Sequence, residues 1–468
     1  MKLIDIVIGC LDEFSRVQPG GVLDAKLLPR KGEMPSMLRA ANGMEIWFSR
    51  CALEHMTWLA EHLHQELAVG SAIRLEEYAQ LVRQALVDGH CDGRLTTSST
   101  TLLADVRAMV AAATEATQRP LIHSFPAWSI DVGERVVEVG PSVIYPLAQW
   151  LERQRFTPKV AEKFFTDELP EKGWAERFDE YLSGARAQEH RDPACMLSRV
   201  IGDTTHVVEV AMPPRETVLS RHQARFLAQA SLDCIALILE RPVFHRHWVL
   251  RDQPTSPEFY DEITAFESGL RPPNARKRFP RSPSATPKNQ AMLYQYASHL
   301  AAYAHVLRVA HTDDHAAPNL GLVHRWLSAL LWASEAAREP NDAMASTKFA
   351  TCLDILANAN KAHPIVEMVT NLLGITAVTR LVRPTPQHPE GMTLRQAVER
   401  LYGEGRSQVL HGSIVNPMHR HTLERDVGAW LARTCLRQAV LTIPQANDAE
   451  HANFRAIPTA PNDDAPFA

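Results

Sequence analysis

The chain lacks paired cysteines: Cys10, Cys51, Cys91, Cys195, Cys234, Cys352 and Cys435 are its seven, scattered with no CxxC spacing. That excludes a zinc ribbon and a disulfide scaffold, and it suits a reducing cytosol. Also missing is any apolar run approaching the roughly 20 residues that a membrane-spanning helix requires. The opening MKLIDIVIGC is short and carries Asp5, so a cytoplasmic protein with no membrane partner is expected. Neither sign of charge dominates: 49 Lys and Arg stand against 54 Asp and Glu, for a formal net charge of -5. Any contact with RNA must then come from a local basic patch rather than from the field of the whole protein. There is no GxxxxGKS/T loop, no GxSxG elbow, no HExxH helix and no internal repeat. ATP-driven, serine-hydrolase and zincin chemistries drop out with those motifs.

What is present reads as two or three globular units, since 468 residues exceed one ordinary domain and hydrophobic residues make up 45%. Residues 1–250 read as an α+β region that senses or positions. Strands are expected at Leu3–Ile8, Ser129–Gly140 and Thr205–Met212, where β-branched residues gather. Apolar residues recurring at three- and four-residue steps predict helices over Arg50–Leu67, Leu75–Val87, Leu102–Ala116 and Glu216–Leu239. Residues 251–289 read as a linker, because Pro272, Pro273, Pro280, Pro283 and Pro287 interrupt any helix. Arg276, Lys277, Arg278 and Arg281 in that linker are candidate RNA contacts once it is ordered; a solvated linker is the other reading.

From residue 290 to 441 the pattern is almost purely helical. Helices are expected at Gln290–Val309, Pro318–Arg338, Asp342–Asn358, Pro364–Leu373 and Leu394–Tyr402, then from Arg406 to Leu441 with a break near Pro417. Short connections point to an antiparallel bundle. The fold class expected is therefore mainly α, with an N-terminal α+β region. Residues 442–468, rich in Ala, Pro, Asn and Asp without apolar periodicity, read as a disordered tail.

One segment carries chemistry. LYGEGRSQVLHGS, Leu401–Ser413, sets Arg406 and His411 five positions apart among Gly403, Gly405 and Gly412. RNA cleavage without a metal needs a proton acceptor near the 2′-hydroxyl, a donor near the leaving 5′-oxygen and positive charge on the phosphoryl oxygens. A histidine titrates near neutrality and serves as base or acid, while an arginine offers phosphate a fixed planar fork. On an ideal α-helix residues five apart point about 140° away from each other. The long arginine side chain or a glycine-loosened turn must therefore close the site. Spacing alone is weak evidence, because it recurs at Arg50–His55 and Arg383–His388.

The flanks of the motif, LYxxxRSxxxHG after a run of helices, resemble the Apea-like branch of the HEPN superfamily, over roughly Gln290–Leu441. LDIL at Leu353–Leu356 is similar to the LExL pattern of related domains, with Asp354 in place of glutamate; Ser407 stands where many active members carry Asn, Asp or His. The resemblance implies a helical endoribonuclease with Arg406, His411, Ser407 and Asp354 at its site and no cofactor. It further implies RNA as substrate, a homodimer whose Arg and His residues share a cleft, a phage-derived or nucleotide trigger, and a setting in antiviral defence by abortive infection. The alternative from another class is a non-catalytic scaffold that binds nucleotide, RNA or a partner protein. In that reading His411 is a helix-terminal histidine and Arg406 a salt-bridge partner of Glu404 or Asp354. A third hypothesis places zinc or manganese at HTDDH, His311–His315, although Asp capping of the next helix explains that segment more cheaply.

Overall fold

A computed structural model describes residues 2–17, 36–67, 72–128, 135–239, 245, 249–252, 265–266, 269–270, 291, 293–312, 316–384, 389–413, 421–455 and 457. The chain is mainly helical with small sheets. It divides into two compact units, residues 1–121 with 212–223, and residues 122–211 with 224–468. A cut near residue 250 is thus not where the contacts separate. The basic residues Arg276, Lys277, Arg278 and Arg281 lie outside the described residues.

In the first unit α1 (Leu3–Val17), α2 (Arg50–Gln65), α3 (Leu75–Cys91) and α4 (Leu102–Thr117) pack around one core. The strand expected at Leu3–Ile8 is instead the start of α1. Its β-branched residues favour a strand locally, but Ile6, Val7, Cys10, Leu11, Phe14 and Val17 are spaced to bury one helical face. Long-range packing overrides the local preference. A hairpin of β1 (Met37–Arg39) and β2 (Glu45–Trp47) pairs Leu38 with Ile46 and leads to Ser49. That serine caps α2 by accepting the Ala52 N–H at 3.0 Å and donates to Glu13 at 2.5 Å. Residues 212–223 join this unit through Glu216, whose N–H reaches the Ala72 carbonyl and whose carboxylate pairs with Arg74 at 2.9 Å.

The second unit holds a five-stranded sheet in the order β4-β5-β6-β3-β7, with β3 (Arg119–Trp128), β4 (Val137–Val139), β5 (Ser142–Pro146), β6 (His206–Arg215) and β7 (Val249–Leu250). The strand expected at Thr205–Met212 is β6; of that expected at Ser129–Gly140, residues 137–139 are β4, and 129–134 lie outside the described residues. Four short helices follow, α5 (Leu147–Arg153), α6 (Pro158–Phe164), α7 (Trp174–Ser183) and α8 (Pro193–Ile201). The latter part of α9 (Thr217–Ile238) is buried on every side. A helix so enclosed must satisfy its polar side chains internally. Ser231 bonds to the Leu227 carbonyl, Gln229 donates to Asp233, and Asp233 receives Arg338.

The helical remainder comprises α10 (Ala297–Thr312), α11 (Leu320–Arg338), α12 (Asp342–Ala357), α13 (Ala362–Leu373), α14 (Leu394–Tyr402) and α15 (Thr422–Thr442). Trp326 of α11 is fully buried, and its indole N–H is satisfied by the Leu436 carbonyl at 2.9 Å. α10 lies against the turn after β4, where Gly140 has φ +64° and an added Cβ would meet Leu307 Cβ at 2.7 Å. Sequence signals placed most ends correctly: Asn341 caps α12, and Thr393 with Gln396 forms a capping box on α14. The expectation of disorder after residue 442 fails for the stretch to residue 455. There Asp448 accepts the Gly321 and Leu322 N–H groups at the start of α11, and Phe454 is wholly buried. Side-chain capping and one aromatic anchor hold a segment that has no apolar periodicity.

Candidate active site

The helix begun by α14 does not end at Tyr402. It continues through a π-helical turn, Gly403–Ser407, and one further α-helical step, Gln408–Leu410. A π turn holds one more residue than an α turn and is frequent at functional sites. This one is docked on α12, where the Gly405 carbonyl accepts Thr347 Oγ1 at 2.7 Å and Ser346 Oγ at 3.2 Å. Asp354 lies seven residues beyond Thr347, two turns along the same helical face. The face of α12 that anchors the turn therefore also delivers the carboxylate to Arg406.

Arg406 is gripped from two directions. Its Nη2 lies 2.9 Å from Asp354 Oδ2, and its Nη1 donates to the Tyr402 hydroxyl at 2.6 Å. The Tyr402 ring also lies beneath the guanidinium, 4.9 Å from centroid to Cζ, a cation–π arrangement. The contact with Asp354 is close but poorly aligned: both carboxylate oxygens and Arg406 Nε are buried without a hydrogen-bond partner. Burial pushes the Asp354 carboxyl up to about 6, against the downward pull of Arg406. The side chain of Asp354 is 7% exposed and that of Arg406 26%, so the arginine alone offers solvent a substantial surface.

His411 ends the helix. Its N–H reaches the Ser407 carbonyl at 3.0 Å, and Gly412 follows at φ +66°, a left-handed residue that glycine adopts without steric cost. The Gly412 N–H bonds to the Val409 carbonyl and the Ser413 N–H to the Gln408 carbonyl, the pairing of a Schellman cap. The histidine is exposed, and among the described residues its side chain makes no hydrogen bond or ion pair. Of the residues singled out by sequence, Asp354 and Arg406 are in contact, whereas Ser407 joins His411 only through the backbone. Arg406 pairs with Asp354, not Glu404, which instead meets Arg400 at 3.1 Å. The residues missed were Tyr402, Ser346 and Thr347. Tyr402 was legible as the i-4 neighbour of Arg406, and Thr347 as the i-7 neighbour of Asp354.

The HTDDH alternative gains nothing. His311 donates from Nε2 to the Ala211 carbonyl at 2.7 Å, residues 313–315 lie outside the described residues, and the described residues contain no group of His, Cys, Asp and Glu fit to hold a metal. Nor is any described helix long and apolar enough to cross a membrane. Compared with family models, with curated proteins and with solved structures, the chain matches none.

Proposed function

We propose that the region from residue 290 to 441 is a metal-independent endoribonuclease of the HEPN type, acting through Arg406 and His411. The observation that carries this reading is a partly exposed, oriented guanidinium five residues before an exposed imidazole that is unencumbered among the described residues. His411 takes the proton of the substrate 2′-hydroxyl as O2′ attacks phosphorus, and the bond from phosphorus to the 5′-oxygen breaks as that oxygen takes a proton from solvent water. The products are a 2′,3′-cyclic phosphate and a 5′-hydroxyl end. Arg406 donates to the phosphoryl oxygens as their charge grows, which is where a preorganised donor contributes most. Asp354 holds Arg406 in place, and Ser407 fixes the backbone of His411. A homodimer brings two such pairs to one cleft; that assembly, a phage-derived or nucleotide trigger and a defence setting rest on the family resemblance alone.

The test is cleavage of end-labelled structured RNA and matched DNA in excess EDTA. The wild type should leave cyclic phosphate ends on RNA and spare DNA. Arg406→Ala and His411→Ala should each lower the rate by at least about 100-fold, the scale of removing a general acid–base or an oxyanion donor. Intact RNA with every candidate activator favours the non-catalytic scaffold. That second reading draws on the ion pair itself, since Asp354 and Tyr402 engage both terminal nitrogens of Arg406 as a structural bridge would.

A further inference from the structure

We infer that Tyr402 is a positioning residue for this site: its hydroxyl fixes the plane of the Arg406 guanidinium without exchanging protons itself. The inference rests on the ribonuclease reading for its kinetic consequence, but not for its geometric one. The hydroxyl donates its single proton to the Asn360 carbonyl, in the turn between α12 and α13. Its lone pairs thus remain to accept Arg406 Nη1, and the polarity of the chain from Arg406 through Tyr402 to Asn360 is set. A phenol whose proton is committed to a carbonyl has none to give to a leaving group. The ring beneath the guanidinium adds a second constraint, and Asp354 at Nη2 a third.

These constraints differ in kind. The Asp354 contact is misaligned and leaves both oxygens unsatisfied, so it attracts the cation without fixing its rotation. Alignment comes from the tyrosine. Asn360 stands two residues after Asn358, the left-handed residue that closes α12 at φ +49°, so the tyrosine ties the arginine to the same helix that carries Asp354.

The experiment compares Tyr402→Phe, which keeps the ring and loses the acceptor, with Tyr402→Leu, which loses both. Two readouts are taken on the full-length protein: steady-state RNA cleavage across pH, and rotation of the Arg406 guanidinium by nitrogen-15 NMR. Tyr402→Phe should lower kcat about tenfold, leave KM and both limbs of the pH profile unmoved, and speed guanidinium rotation; Tyr402→Leu should do more of each. An unchanged kcat in Tyr402→Phe overturns the inference, and so does a displaced pH limb, which would make the phenol an acid or base. If the wild type cuts no RNA, the ribonuclease reading fails and the rotation decides alone: slow rotation persisting in Tyr402→Phe overturns the positioning role, and accelerated rotation upholds it.

Discussion

Taking a carboxylate out of water raises the free energy of its charged form, and Asp354 retains that cost because its one cationic neighbour is misaligned. Its folded value of about 6 lies above the 3.8 ordinary for an aspartate. Between those two values the native state binds more protons than the unfolded chain, so this group's contribution to stability falls as pH rises and is complete in its loss above about 6. The difference amounts to about 3 kcal/mol. Asp354→Asn removes the titration while keeping the shape. Measured by urea unfolding, the variant should gain on the wild type between pH 4 and pH 8, by up to about 3 kcal/mol. A gap between the two that does not change with pH would show that Asp354 does not titrate in this window.

At the scale of elements, the π-helical turn stands on two hydroxyls from α12. Thr347→Val alone should cost about 1 kcal/mol, because Ser346 still donates to the Gly405 carbonyl. Combined with Ser346→Ala it strips both side-chain donors from the Gly405 carbonyl, and the pair should lose more than the sum of the two single variants in a double-mutant cycle on thermal unfolding. Much at this scale was legible beforehand. Helix ends at Asn341 and Thr393 follow from caps written into adjacent residues, and the amphipathic runs of α2, α3 and α4 lie where their spacing puts them. Three features were not legible. α1 is helical only because its partners bury Ile6, Cys10 and Phe14 together; the π turn reads as plain helix in any local pattern; and Phe454 anchors the chain after α15 through a contact with no periodic signature. Each depends on packing between residues far apart in the chain, which periodicity does not record.

Across the whole molecule, residues before 250 and the helical region are tied together by buried charge. Asp233 of α9, His245 and Arg338 of α11 form a buried group: Arg338 donates to Asp233 and, at 2.9 Å, to the His245 carbonyl, and all three are at most 5% exposed. Removing one partner of such a pair leaves a naked charge in the interior, at about 3–5 kcal/mol. Asp233→Ala should therefore destabilise the second unit by that amount in chemical denaturation. A loss below about 1 kcal/mol would show that residues before 250 do not support the helical region. The proline signal at 251–289 was real composition, but composition marks where a helix cannot run, not where contacts divide.

The extra residue held in the π turn makes this site tolerant of chain length at one place. Each residue of an α-helix turns it by about 100°, but a π turn already absorbs one residue more than an α turn, so deleting one glycine from Gly403–Ser407 and letting the helix close would leave His411 facing much as before relative to α14. The turn works as a one-residue buffer: the same deletion made within α14, where no slack is stored, would rotate everything after it by more than a quarter-turn.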